Sequence, residues 1–157
     1  MLLNLQLRDQ KKRQKRYYSG KKKRHTIKTQ LVINKNTGEI ICVYIAKGKT
    51  HDFKAFKDSK LPIAPDTIVV VDSGYQGLQK IHESTELPKK KTKKQKLTKA
   101  DKKANRKLAT KRVFNEHVNG DLKVFRIIAE RYRNRRKRFG LRINLLAGIY
   151  NYELNCA

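Results

Sequence analysis

The run Val69-Val70-Val71-Asp72-Ser73-Gly74-Tyr75-Gln76-Gly77 constrains this chain most. Three β-branched residues favour an extended strand, and a strand with both faces apolar belongs in the middle of a covered sheet. The strand ends in a carboxylate and breaks at once into a turn, where Gly74 and Gly77 let backbone approach closely. A carboxylate so placed sits on a rigid element at a sheet edge, where ligands and metals are usually bound. The bland alternative is a loop Asp that closes an Asx turn or caps the next helix.

Charge narrows the partner. The 157 residues carry 40 Lys and Arg against 13 Asp and Glu, a net charge of +27. The excess is uneven. Residues 1–30 hold 11 bases and 1 acid, 89–112 hold 13 and 1, and 113–157 hold 9 and 4, whereas 31–88 hold 7 of each. The central stretch can fold as a neutral unit between basic segments. Self-repulsion on this scale is relieved by a polyanion, and nucleic acid suits it because each phosphate contact releases counterions. The opening Met1-Leu2-Leu3-Asn4-Leu5-Gln6-Leu7 lacks the basic start and cleavage site of a secretion signal. No apolar run approaches the roughly 20 residues of a membrane-spanning helix. Cys42 and Cys156 are far apart and read as reduced packing residues. The expectation is a cytoplasmic protein with no membrane partner, associated with the nucleoid when bound to DNA.

The pattern along the chain predicts a mixed sheet with helices packed on it. Leu3, Leu5 and Leu7 alternate with Asn4 and Gln6, as in a short strand. A basic loop over 11–24 is interrupted by Tyr17-Tyr18-Ser19-Gly20. Ile27, Leu31 and Ile33 mark a second strand, and the turn Asn34-Lys35-Asn36-Thr37-Gly38 joins it to a third over 40–46. Thr50 or Asp52 caps a helix that carries Phe53 and Phe56. Pro62 and Pro65 lead into a strand over 68–71, and a short helix covers about 76–83. Residues 89–96 are almost all lysine and are expected to be mobile. Thr98 with Asp101 forms a capping box for a helix with Ala104, Leu108, Arg112 and Glu116 at i, i+4 intervals, ending near Gly120. Leu122, Phe125, Ile128 and Tyr132 continue a stripe on a second helix, and Leu141, Leu145, Ile149 and Tyr152 mark a third.

Glu116 is the second candidate carboxylate. It stands in Arg112-Val113-Phe114-Asn115-Glu116-His117, where the bland reading is an ion pair with Arg112 worth about 0.2–0.5 kcal/mol. Two carboxylates on separate rigid elements are nonetheless what Mg²⁺ needs, since it takes oxygen ligands and shares them with substrate phosphate. Two such ions about 3.5–4 Å apart activate water and stabilise the leaving oxygen of a phosphodiester.

Several ordered motifs together resemble a known family. Asp72-Ser73-Gly74-Tyr75-Gln76-Gly77 is similar to the D-x-G-Y-Q-G motif around the second acid of DDE-type insertion-sequence transposases, whose relatives include the Harbinger-related nucleases. Arg16-Tyr17-Tyr18-Ser19-Gly20-Lys21-Lys22-Lys23-Arg24-His25-Thr26-Ile27-Lys28 resembles the basic segment after that family's first strand. His51-Asp52-Phe53 matches the start of its first helix. Asn105, Arg112, Glu116 and His117 match the helix bearing its third acid, followed by Leu122, Lys123 and Phe125. The resemblance spans about residues 11–154.

The resemblance implies an α/β, ribonuclease-H-like fold with a mixed sheet flanked by helices and with basic insertions. Three acids in that family hold two Mg²⁺ or Mn²⁺ ions, cut double-stranded DNA at element ends and join it to a target. By position Asp72 is the second acid and Glu116 the third, both catalytic and both metal ligands. Lys21, Lys22, Lys23, Arg24, Lys28, Arg112, Arg131, Arg133, Arg135 and Arg136 are the candidate nucleic-acid contacts, those of the run 131–138 on charge alone and with a solvated face as the alternative, and the intact protein is expected to be a homodimer. Residues 1–24 are then a basic segment with a remnant first strand, and 25–157 the catalytic domain, in which 89–112 form a lysine-rich insertion and helix.

The match stops at the first acid. Residues 1–10 show no Asp-x-Thr pattern, and Asp9 lies in the basic loop beyond the alternating leucines. The expectation is a truncated or frameshifted transposase fragment with an altered first strand, catalytically inactive. The alternatives are a non-catalytic basic DNA-binding remnant and a basic RNA-associated structural protein. The ordered Asp72 and Glu116 motifs favour the DNA readings, since a structural RNA partner needs no carboxylate on a buried strand. His117 reads as a surface residue, Asp52 as a helix cap, and Tyr17 and Tyr18 as stacking platforms or packing groups.

Overall fold

The computed structural model describes residues 2–7, 17–91 and 96–156. Its centre is the ten-residue strand β3 (Arg24–Ile33), flanked by β1 (Leu2–Gln6) and β4 (Ile40–Lys47). Both neighbours run antiparallel to it, with Leu5 opposite Ile27 on one side and Ile45 opposite Thr29 on the other. The two-residue strand β2 (Tyr18–Ser19) pairs with the start of β3. The predicted hairpin is present, and Gly38 at φ +86° supplies the left-handed residue its turn requires.

Side chains alternate across a strand, so each face of this sheet carries its own set of residues. Leu3, Leu5, Ile27 and Leu31 lie on one face and are buried with Val118, Leu122, Ile128, Tyr132 and Ile143 in a single apolar cluster. Each fully buried aliphatic side chain there contributes about 1.5–3 kcal/mol. Asn4, Lys28 and Gln30 project from the opposite face, and this polar face carries the candidate site.

The helices are α1 (Asp52–Ser59), α2 (Lys99–Leu122), the single turn α3 (Arg126–Ala129) and α4 (Phe139–Cys156). The capping box of α2 forms as predicted: Thr98 Oγ1 accepts from the Asp101 amide, and Asp101 accepts from that of Thr98. Helix α4 is clamped to the sheet by Asn151, whose amide side chain accepts from the Ile40 N–H at 2.8 Å and donates to its carbonyl at 3.0 Å.

Four local expectations are corrected. The strand over 68–71 shrinks to β5 (Val69–Val70), which pairs in parallel with β6 (Thr85–Glu86) in a separate two-stranded sheet. It is not covered on both faces, because Val69 to Val71 are half-buried and Ile68 is 66% exposed. Helix α1 is entered through His51 rather than capped by Thr50 or Asp52. Gly120 lies within α2, and the stripe through Leu122, Phe125, Ile128 and Tyr132 packs in the core across a helix end, a single turn and a bridge from Tyr132 to Leu7. Helix α4 buries Phe139, Ile143, Leu146 and Ala147, leaving Leu141, Leu145 and Tyr152 exposed.

Asp9, residues 11–16 of the 11–24 loop and residues 92–95 of the lysine run lie outside the described residues. The start of that run is fixed to α2, since Asn105 accepts from the Lys89 amide and donates to its carbonyl, both at 2.9 Å. Among the described residues no helix is long and apolar enough to cross a membrane.

Candidate functional site

Asp72 lies two residues beyond the end of β5, after Val71, and opens the 3₁₀ turn at residues 73–75. One of its oxygens accepts the Gly74 N–H at 2.6 Å, so the Asx-turn role is real. That bond fixes the carboxylate rather than consuming it, because each carboxylate oxygen offers further lone pairs.

A second carboxylate closes on the same turn. A Cβ added to Gly74 would collide with Asp52 Oδ2 and come within 2.9 Å of Asp72 Oδ1. Both oxygens therefore lie under 3.0 Å from one point, and are at most about 6 Å apart. Glycine at 74 is needed for this approach, since any side chain would occupy the space between the acids. Asp52 is positioned by the first turn of α1, and its Oδ1 receives the Lys28 ammonium from the polar face of β3 at 2.8 Å. The same ammonium donates to the Thr50 carbonyl at 2.6 Å.

The floor of the site is Tyr75, 2% exposed, whose hydroxyl donates to Gln30 Oε1 at 3.3 Å. Burial, and then the charges of Asp52 and Asp72, push its phenol well above the ordinary value. Tyr75 is thus a neutral hydrogen-bonding wall beneath two acids.

Glu116 sits on α2, exposed and outside the ion pairs found among the described residues, which join Lys28 to Asp52, Lys89 to Asp101 and Lys111 to Glu86. The expected pair with Arg112 does not form. Helix α2 nonetheless runs along β5: Lys111 and Asn115 line a groove of about 740 Å³ together with Val69, Val70 and Val71. Asp72 follows Val71 and Glu116 follows Asn115, so each candidate acid is the next residue beyond the wall of one groove. Among the described residues no group of three His, Cys, Asp or Glu side chains gathers closely enough to hold a metal ion. The oxygens of Asp52 and Asp72 are of the type that Mg²⁺ and Mn²⁺ take.

Residues 2–151 match the family model described as DDE superfamily endonuclease. The chain belongs to this family. It is also 53% identical over 144 residues to a probable transposase for insertion sequence element IS702 of Microchaete diplosiphon, a match covering 92% of this chain and 52% of that protein. The chain thus spans about half the length of the curated relative it matches. No solved structure matches it significantly. The resemblance carried by the Asp72 and Glu116 motifs is therefore sound at the level of family.

In this DDE family member the basic residues divide into two groups. Lys21, Lys22 and Lys23 are exposed on the turn between β2 and β3, with Lys23 in the left-handed region at φ 49°, and Arg24 is exposed at the start of β3. The turn meets the second basic segment through Arg136, whose guanidinium lies 4.3 Å from the centre of the Tyr17 ring. Arg131 Nε also donates to the Leu7 carbonyl, and Tyr132 bridges to Leu7. Arg133 and Arg135 are exposed on the same segment. Lys28 and Arg112 are half-buried, with Lys28 committed to Asp52.

Asp52, read from spacing as a helix cap, stands instead in the first turn of α1 beside Gly74. Its partners Lys28 and Gly74 are remote in sequence, and the only local signal is a helix-start Asp that turns out not to cap.

Proposed function

We propose that this chain is an inactive fragment of the strand-cutting domain of an insertion-sequence transposase, ribonuclease-H-like in architecture, which binds duplex DNA along its two joined basic segments. The closure of Asp52 and Asp72 around Gly74, at the end of β5 and beside α2, is the observation that carries this reading. Asp72 and Glu116 are the ligands for Mg²⁺ or Mn²⁺, with Asp52 as a neighbouring acid held by Lys28. When bound, such ions activate water and stabilise the leaving oxygen of a phosphodiester.

The chain's own residues do the remaining work. The turn at Ser73–Tyr75 fixes Asp72 by its bond to the Gly74 N–H. Tyr75 and Gln30 hold the floor rigid beneath it. Lys28 prevents Asp52 from repelling Asp72 when no cation intervenes. The exposed Lys21, Lys22, Lys23, Arg24, Arg133 and Arg135 track phosphates and set register without reading bases.

Strand β1 offers Leu2, Leu3, Asn4, Leu5 and Gln6, none of them an acid. With no first-strand carboxylate the ions are loosely held, and misplacement by about 1 Å costs roughly 100-fold. Residues 2–156 therefore bind DNA without cutting it, close to the non-catalytic DNA-binding alternative. Fluorescence anisotropy with unrelated duplexes over a salt series tests this. Binding is expected to show little sequence preference and to weaken steeply with salt. Joint Arg133→Glu and Arg135→Glu substitution is expected to flatten the salt slope. Binding that survives molar salt, or nicking of element-end DNA by the unmodified chain in Mn²⁺, would overturn the reading.

A further inference from the structure

Helix α2 keeps its fully buried side chains, Val118, Asn119 and Leu122, near its C-terminal end. Its first half is open on one side. Lys99, Lys102, Lys103, Arg106 and Lys107 recur every three or four residues, which puts them on one face, and all five are exposed. Asp101, Asn105, Leu108 and Arg112 recur on the opposite face, and all four are half-buried. That inner face is fastened to the body. Asp101 accepts the Lys89 ammonium at 2.7 Å, and Asn105 brackets the Lys89 backbone. Further along, the Lys111 ammonium donates to both oxygens of Glu86. The basic face is thereby held outward on a rigid element.

Among the described residues no acid balances this face, since none of its five cations forms an ion pair. The one acid within 99–112, Asp101, lies on the other face and serves the cap and Lys89. Lys99 and Lys103, Lys102 and Arg106, and Lys103 and Lys107 are like charges at i, i+4, an arrangement that weakens a helix. A polyanion relieves that repulsion. The other side chains select its kind. Residues 99–107 include no aromatic ring on which a single-stranded base could stack. They include no large apolar side chain to anchor a protein partner. Their one amide side chain, Asn105, which could read an adenine edge, is committed to Lys89. What remains suits the backbone of a duplex.

We propose that the outer face of α2 over 99–107 is a further DNA-binding surface, separate from the two joined basic segments, which follows the phosphates of one duplex strand without reading sequence. It rests on the DNA-binding reading above and adds a surface to it. The five cations extend over about 12 Å of helix, a length along which one strand of B-DNA carries about four phosphates. Glu116 lies on the same helix, about 15 Å beyond Arg106. A duplex laid along this face is therefore offered to that carboxylate roughly four base pairs further on. Backbone contacts of this kind position a duplex and carry no sequence information.

Lysine acetylation of the unmodified chain, read by mass spectrometry with and without an unrelated duplex, tests this. Lys99, Lys103 and Lys107 are expected to lose most of their reactivity when DNA is bound. Lys35 and Lys60, exposed on the hairpin turn and at the end of α1, are expected to keep theirs. Protection of Lys21 to Lys23 without protection of Lys99, Lys103 and Lys107 would overturn this proposal and leave the earlier reading standing. Protection at none of them would overturn both. A second measurement uses Lys99→Gln, Lys103→Gln and Arg106→Gln together, since glutamine forms helix about as well as the residues it replaces. The slope of log K against log salt is expected to become shallower by about 2–3, and an unchanged slope would count against the surface. Equal protection of the three lysines by polyglutamate would make an acidic polypeptide the partner and contradict the assignment to a duplex.

Discussion

Lys28 Nζ lies 2.8 Å from Asp52 Oδ1, while the opposite oxygen of Asp52 presses on Gly74 beside Asp72. A strand lysine therefore balances the charge of Asp52 through the oxygen that does not face Gly74 and Asp72. Both side chains are mostly buried, at 15% and 24% exposure, so solvent screens the pair only weakly.

Replacing that lysine should expose the competition. Lys28→Met leaves Asp52 and Asp72 facing each other and is expected to cost about 1–3 kcal/mol of stability. Mn²⁺ should restore much of that loss, because it binds the folded state. Melting curves with and without Mn²⁺ check this. A variant destabilised equally in both would show that no cation replaces the ammonium.

Tyr75 gives a pH signature. Its phenol is raised in the folded chain by burial and by Asp52 and Asp72, whereas the unfolded chain titrates near the ordinary 10.0. Stability from keeping it neutral is complete below pH 10 and is lost as pH climbs from there toward the folded value. Tyr75→Phe has no proton to lose, so its stability should fall less above about pH 10. At neutral pH it should be less stable by about 1 kcal/mol for the lost bond to Gln30. Urea midpoints for both proteins between about pH 8 and 11 decide the matter, and parallel curves would count against the assignment.

Gly48 reports on the junction of β2, β3 and β4. A Cβ there would meet the carbonyl oxygens of Thr26 and Tyr17 at 2.5 and 2.6 Å, and backbone cannot step aside cheaply. Gly48→Ala is expected to cost about 3 kcal/mol, lowering the melting temperature by roughly 6–12 °C. A change below about 2 °C would mean the junction is looser than the hydrogen bonds from Gly48 to Thr26 and from Thr26 to Tyr17 indicate.

How far the sequence discloses this molecule depends on the range of each signal. The hairpin of β3 and β4 and the Thr98 capping box are written within a few residues, and both form. The buried face of α4 is not, because apolar residues stand on two sides of the helix and periodicity cannot choose between them. The choice is made where Gly140 approaches Ile45 and Asn151 clamps Ile40, contacts more than 90 residues apart in the chain. The Val69-Val70-Val71 run misleads for a related reason. Its composition suits a covered central strand, yet among the described residues only β6 pairs with it and its other edge faces the groove. The turn at Asp72 is legible because Asp and Gly stand two residues apart, as an Asx turn needs. The surroundings of Asp52 are not, since Lys28 and Gly74 are remote from it in sequence.

Paramagnetic broadening by Mn²⁺ of backbone amide signals tests the central claim most directly. Asp72 and Glu116 as metal ligands predict strong, selective loss of signal at residues 72–74 and around Glu116. Asp72→Asn should abolish it while leaving the fold intact, and Glu116→Gln should weaken it. Broadening that persists in Asp72→Asn, or that spreads evenly over exposed acids such as Asp121 and Glu153, would contradict the account.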